Sequence, residues 1–243
     1  MRWGALVFLA VTGCAVAAVE PNEAREDDYS ASDFTEDTVL PYSGDWLDAP
    51  KALSGIGQFD RLKGTIHDDA KCSTMVAVAA AIVGGKDHFV RFVDSVAKIR
   101  AGRRDDLEIV ERVRAAVEAK TLTPRLIHEF TECAVRAYDV AHGAFDLQIS
   151  TMIRASGYTT VHVGSKKPQV LVDSLENREV VPLGTIADGE AHITLLWKDA
   201  RGVVRLYDSD DVGGSHVMPR GSAPYRKRIG DPKSGWDPGD KYR

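Results

Sequence analysis

Lys71-Cys72-Ser73-Thr74-Met75-Val76-Ala77-Val78-Ala79-Ala80-Ala81-Ile82-Val83-Gly84-Gly85 is the stretch on which the fold turns. From Cys72 to Val83 it is apolar on nearly every side, and a helix without a polar face has to lie in the middle of a domain. Asp69 stands where an N-cap is needed, because its carboxylate can accept from an unpaired N–H of the first turn. Gly84-Gly85 supplies the stop.

A core helix needs layers around it, and the downstream sequence supplies them. Apolar residues recur at the 3.6-residue period over 86–101 (Phe89, Phe92, Val93, Val96, Ile99), 105–120 (Leu107, Val110, Val113, Val117) and 123–141 (Leu126, Ile127, Phe130, Cys133, Ala134, Ala137, Tyr138). A further helix is predicted over 145–155, stopping at Gly157. The chain then changes character. Residues 158–163 are rich in β-branched side chains, a short helix opened by Pro168 is predicted over 168–177, and 179–183 reads as a strand. Strands over 191–197 and 203–207 flank Lys198-Asp199-Ala200-Arg201-Gly202, which reads as the turn of a hairpin. Helices first and an antiparallel sheet second indicate an α+β fold: an N-terminal helical lobe around a buried central helix, then a small antiparallel sheet.

Upstream, Arg2 precedes a short apolar run over 5–11, too short to span a bilayer and suited to a secretion signal. Val11-Thr12-Gly13-Cys14 resembles a bacterial lipobox, in which Cys14 becomes the lipidated first residue of the mature chain; Ala15-Val16-Ala17 instead fits ordinary cleavage near Ala17. A diacyl anchor on Cys14 would hold the protein on a membrane surface. The expected organisation is a signal peptide over 1–17, an acidic flexible arm over 18–50 (Glu20, Glu23, Glu26, Asp27, Asp28) in which Leu40-Pro41-Tyr42 and Trp46-Leu47 could dock on the domain, an α+β domain over 51–210 and a polar tail over 211–243. The expected location is outside the cytoplasm, either lipid-anchored in a bacterial cell envelope or secreted.

Net charge is −5, with 31 basic and 36 acidic residues, which argues against a dedicated nucleic-acid binder. No later stretch reaches the roughly 18 apolar residues of a membrane-spanning helix. There is no CxxC pair, P-loop or dinucleotide glycine fingerprint. His128-Glu129 begins like a zinc-protease motif, but Glu132 stands where the second His is required. Neither a metal nor a cofactor is expected.

Three residues carry candidate chemistry. Cys72 lies in the first turn of the buried helix, where unpaired N–H groups and the helix dipole favour a thiolate. Asp68 and Asp69 oppose that and Lys71 partly offsets them. His192 opens one strand of the hairpin and Asp208 closes its partner, so antiparallel pairing can bring the carboxylate to the imidazole. A nucleophile, a base and an orienting group are then present. Cys133 falls on an apolar stripe and reads as core. Export would permit a Cys72–Cys133 disulfide without requiring one. Arg100, Arg103 and Arg104 read as a solvated loop between helices.

Lys71-Cys72-Ser73-Thr74-Met75, opening an Ala-rich buried helix, resembles the nucleophile helix of papain-like cysteine peptidases. Gly189-Glu190-Ala191-His192-Ile193-Thr194-Leu195-Leu196-Trp197, with Val203-Val204-Arg205-Leu206-Tyr207-Asp208 after it, is similar to that family's His strand and its Asp or Asn strand. The bacteriocin-processing branch is the nearest comparison, and transglutaminase-like proteins share the order Cys, His, Asp. The resemblance runs over 69–208. It implies a papain-like fold, with Cys72 as nucleophile, His192 as general base and then acid, and Asp208 as orienter. An acyl-enzyme would form on a peptide or protein substrate, cleaving a peptide or isopeptide bond without a cofactor. The same triad would serve an acyl transferase or a glutamine deamidase. The family's oxyanion Gln just before the Cys is not matched: 65–71 holds none, Gln58 lies 14 residues upstream, and His67 could serve as the donor instead. That departure leaves a third reading, a binding lipoprotein that keeps the fold without the activity.

Overall fold

The computed structural model describes residues 34–56, 71–138, 145–163, 170, 173–187, 190–209, 215–217 and 240–243. The signal segment with Cys14, the acidic run to residue 33, Gln58, His67 and Asp69 lie outside them.

The stretch read first forms α2 (Lys71–Gly84), and every residue from Ser73 to Ile82 is at most 1% exposed. It is surrounded because it has no face to turn to water. α3 (Lys86–Ile99), α5 (Pro124–Tyr138), α6 (Phe145–Ala155) and β5 (Glu190–Lys198) all pack against it. Ala77, Ala79, Ala80 and Ala81 keep it thin enough for several neighbours to approach at once. α4 (Arg104–Ala119) packs against α3 and α5. α3 follows α2 through Gly85 alone, whose φ of 106° is a conformation that L side chains rarely adopt. Phe130 of α5 meets Phe89 and Phe92 of α3, each with ring centroids 5.8 Å apart, and so fixes those two helices together.

Six strands form one antiparallel sheet: β3 (Thr160–His162), β4 (Val180–Ala187), β5, β6 (Val204–Tyr207), β7 (Ser215–Val217) and β8 (Asp240–Tyr242), in the order β3-β8-β4-β5-β6-β7. Both faces are apolar. Ile193, Leu195 and Trp197 of β5, with Val180 and Tyr207, join the helical core. Leu196, with Val181, Leu183 and Leu206, forms a smaller cluster closed by Leu175 and Val163. The fold is thus α+β, helices first, and the hairpin expected around residues 198–202 is the β5–β6 connection, with Gly202 at φ 80°.

Elsewhere the structure differs from expectation. Residues 34–48 belong to the folded body and are no loose arm. Phe34, Leu40 and Leu47 are buried, Leu40 N–H donates to Leu122 O (2.8 Å), and Arg125 pairs with Glu36 and Asp37. Acidic residues that read as solvated are partners of one arginine, and the apolar residues between them fill the body. A small hairpin, β1 (Tyr42–Ser43) with β2 (Trp46–Leu47), leads into α1 (Ala49–Ile56), which was not expected. The tail returns to the sheet as β7 and β8, because Tyr242 offers a ring to the core and Lys241 pairs with the buried Glu179. The strand expected over 179–183 continues to Ala187, its small and polar residues Gly184 and Thr185 pairing with Ile193 and His192. Of the helix expected over 168–177, the described residues give one turn, Ser174 N–H to Val170 O (3.1 Å). No helix among the described residues is long and apolar enough to cross a membrane.

Candidate functional site

Cys72 is the second residue of α2, half-buried and with a free thiol, packed against the edge of the helical core. The next residue, Ser73, is fully buried, and its Oγ has no hydrogen-bond partner. The helix that presents Cys72 leans on β5, the strand that carries His192.

In β5, His192 lies opposite Thr185 of β4; its side chain lies outside the described residues. On the other side, β5 and β6 pair from Lys198↔Val204 to Leu195↔Tyr207. One step further brings Thr194 beside Asp208, and His192 is the next residue of the same parity, hence of the same face. Asp208 and Ser209 are fully buried at the end of β6. The fold therefore brings the backbones of His192 and Asp208 to one end of two neighbouring strands. It sets Cys72 on an adjoining element. The contact between β5 and the helices runs through Ile193, Leu195 and Trp197, positions of the opposite parity to His192.

The other described thiol is in a different setting. Cys133, in the middle of α5, is fully buried. Its Sγ donates to Asp106 Oδ1 (3.5 Å) and accepts from Arg136 (3.4 Å). Burial first, and the Asp106 charge second, push this thiol up to about 12. Asp106 itself receives Arg100 Nε (2.6 Å) and both Arg136 Nη2 (2.6 Å) and Nε (3.1 Å). Burial alone would raise its carboxyl, but the two guanidiniums outweigh burial and hold it below the ordinary carboxylate range. The group fastens the α3 C-terminus, α4 and α5 together and keeps Cys133 protonated.

The sequence reading missed this cluster. Asp106 drew no reading of its own, and Arg100 reads as a solvated loop residue. Corrected, Arg100 is an ion-pair partner with a side chain 21% exposed. The available signal was the i, i+3 pair Cys133 and Arg136 on one helix, which put a guanidinium beside a core position. The Cys133 expectation, a core residue, matches what is seen. Both thiols are free, so there is no Cys72–Cys133 bridge. Among the described residues no group of three His, Cys, Asp or Glu side chains could hold a metal ion.

Compared with protein-family models, with curated proteins and with solved structures, the chain matches none.

Proposed function

We propose that the chain is an exported thiol hydrolase of papain-like fold, cleaving a peptide or isopeptide bond through Cys72, His192 and Asp208, with Cys14 as a lipid anchor. The observation that carries the reading is the half-exposed free thiol at the mouth of a fully buried helix that leans on the His192 strand. In this reading His192, oriented by Asp208, takes the Cys72 proton and the sulfur attacks the carbonyl carbon. The tetrahedral oxyanion is held by N–H groups of the first turn of α2. The imidazolium returns its proton to the leaving amine, and water then attacks the acyl-enzyme to release the acid and the thiol. An amine in place of water gives transfer, and a glutamine side chain as substrate gives deamidation.

A second reading, a binding lipoprotein without activity, is favoured by one observation: the odd residues of β5 meet the helical core, whereas His192 is even. One experiment separates the two. The full chain is incubated with a peptidyl vinyl sulfone beside Cys72→Ala and His192→Ala, with circular dichroism to show that each folds. Hydrolase chemistry requires labelling of the wild type, none in Cys72→Ala, and labelling slower by roughly 10²- to 10⁴-fold in His192→Ala. Equal labelling of Cys72→Ala rejects the assignment. A folded wild type that never labels points to the binding protein.

A further inference from the structure

We propose that the groove at the far end of α2 binds a carboxylate carried on an apolar group, with Arg178 as its anchor. The groove, about 540 Å³, opens where the α2–α3 junction, the start of α1 and the β5–β6 turn meet. That volume suits a small ligand. Val83 lies eleven helical steps from Cys72, which at about 1.5 Å each puts the groove roughly 16 Å from the candidate nucleophile. It is a separate site and does not rest on the hydrolase reading.

The floor is apolar, with Ile82, Val83 and Trp197 buried beneath it. Trp46, half-buried, forms a wall, and its indole N–H donates to Ile82 O (2.8 Å). That leaves the rings as contact surface. It also covers a carbonyl at the negative end of α2, which would otherwise repel an anion. Gly85 N–H donates to the same oxygen (3.1 Å), and Tyr158 Oη donates to Ala80 O (2.9 Å).

The charges point the same way. Asp199 is saturated: Oδ1 accepts from the N–H groups of Arg201 and Val203, Oδ2 accepts from Arg205 Nε (2.8 Å), and Arg201 lies a further 3.7 Å away. Lys86 is bridged to Glu118 (3.0 Å), and Asp48 faces Lys51 at 3.9 Å. Arg178 is exposed and has no carboxylate partner among the described residues. Among the described residues that line the groove, Lys86 and Asp199 are already held in ion pairs, which leaves Arg178 as the lining cation without a carboxylate. Arg178 is also held in the left-handed region, φ 68°, a conformation unfavourable for any residue with a Cβ. Its N–H donates to Lys198 O (2.9 Å), and Glu176 N–H donates to Glu179 Oε2 (2.8 Å), which fixes the turn. A glycine would relieve the backbone there; the chain instead keeps a cationic side chain in the groove's lining, close enough for its charge to be felt at His88 and Tyr158.

A carboxylate beside an apolar body occurs both in a free acid and at the C-terminal residue of a peptide. The test follows tryptophan fluorescence of the full chain on addition of 3-phenylpropionate, 3-phenylpropionamide, and an acetylated peptide ending in Phe as free acid or as amide. Saturable binding of an acid, roughly tenfold or more tighter than its amide, is expected, since a hydrogen bond to a charged group is lost in the amide. Binding of the small acid alone names a free acid as the ligand, and binding of the peptide acid names a chain terminus. Arg178→Gly suits the backbone and should fold at least as stably, yet bind at least about tenfold more weakly, and Arg178→Gln should weaken binding equally. Amides that bind as well as acids, undiminished affinity in Arg178→Gly and Arg178→Gln, or no saturable binding at all overturns the proposal.

Discussion

Cys72 and Cys133 belong to helices of one core and face opposite conditions. Cys72 stands at the mouth of α2, half-buried, where the unpaired N–H groups of a first turn lie. Cys133 sits in mid-helix, fully buried, with its proton on the side of a carboxylate that two arginines keep ionised. The residue type is the same, so the difference lies in what surrounds the sulfur. A buried thiol beside a negative charge is held protonated and shielded, whereas a thiol at a helix mouth is reachable. The chain has thus made one cysteine part of its scaffold and left the other available.

The largest expected effect is a difference in alkylation. In a Cys14→Ser background at pH 8, iodoacetamide should modify Cys72 in the native protein and Cys133 only after unfolding. With its thiol pushed up to about 12, only about one Cys133 in 10⁴ is ionised at pH 8. A native-state rate ratio of at least about 10³, read by peptide mass spectrometry, is expected. Comparable rates at the two sites would erase the distinction.

The next effect concerns the anchor. Asp106→Asn removes the charge from beneath two guanidiniums. It should cost about 3 kcal/mol in denaturant unfolding, the low end for breaking a buried pair, because the Arg136 side chain is 44% exposed. The pH dependence has a definite sign. The folded carboxyl is held below its unfolded value, so its contribution is complete above that value and is lost as pH falls through the lower, folded one. The wild type should therefore lose stability below about pH 4 more steeply than Asp106→Asn. The variant should also let the Cys133 thiol ionise more readily, since the second cause of its shift is gone. Parallel acid profiles would show that Asp106 is not the anchor.

What could be read in advance divides along the same line. The buried α2 was legible because the twelve residues from Cys72 to Val83, without a polar face, leave a helix no alternative to burial, and the β5–β6 hairpin was legible from a Gly-containing turn between β-branched runs. Local pattern carried both. Docking of 40–42 and 46–47 was legible from their apolar residues, but the Asp106 cluster, the pairing of Glu36 and Asp37 and the return of Tyr242 to the sheet were not, because each depends on a partner far along the chain: Arg136 for Asp106, Arg125 for Glu36 and Asp37, Glu179 for the Lys241 beside Tyr242. A charged residue written in a sequence looks solvated until its partner's place is known. At the candidate site, order along the chain placed His192 and Asp208 at one end of paired strands. Parity across the sheet, which sets His192 apart from the α2-facing residues, needed the register.

The smallest effect is the sharpest test of how Cys133 is held. An unfolded thiol ionises from about pH 9 upward, while the folded Cys133 keeps its proton until about 12. Between those values the unfolded chain binds fewer protons than the folded one, so stability falls as pH rises, approaching about 1.4 kcal/mol per unit from this group alone. Tyr42, Tyr138 and Tyr158 are also shifted upward by burial and slope the same way, so the wild-type profile by itself does not isolate the thiol. The difference from Cys133→Ala does, because the tyrosines are common to both chains. Cys133→Ala should be the less stable protein at pH 8, by about 1 kcal/mol for the lost contacts and hydrogen bond. By pH 10 the thiol has cost the wild type about 1.4 kcal/mol that the variant does not lose, so the gap should close or reverse. Urea unfolding of both proteins at the two pH values measures it. A gap that stays constant from pH 8 to 10 would mean that the folded and unfolded Cys133 thiols ionise together, and that burial beside Asp106 does not hold its proton.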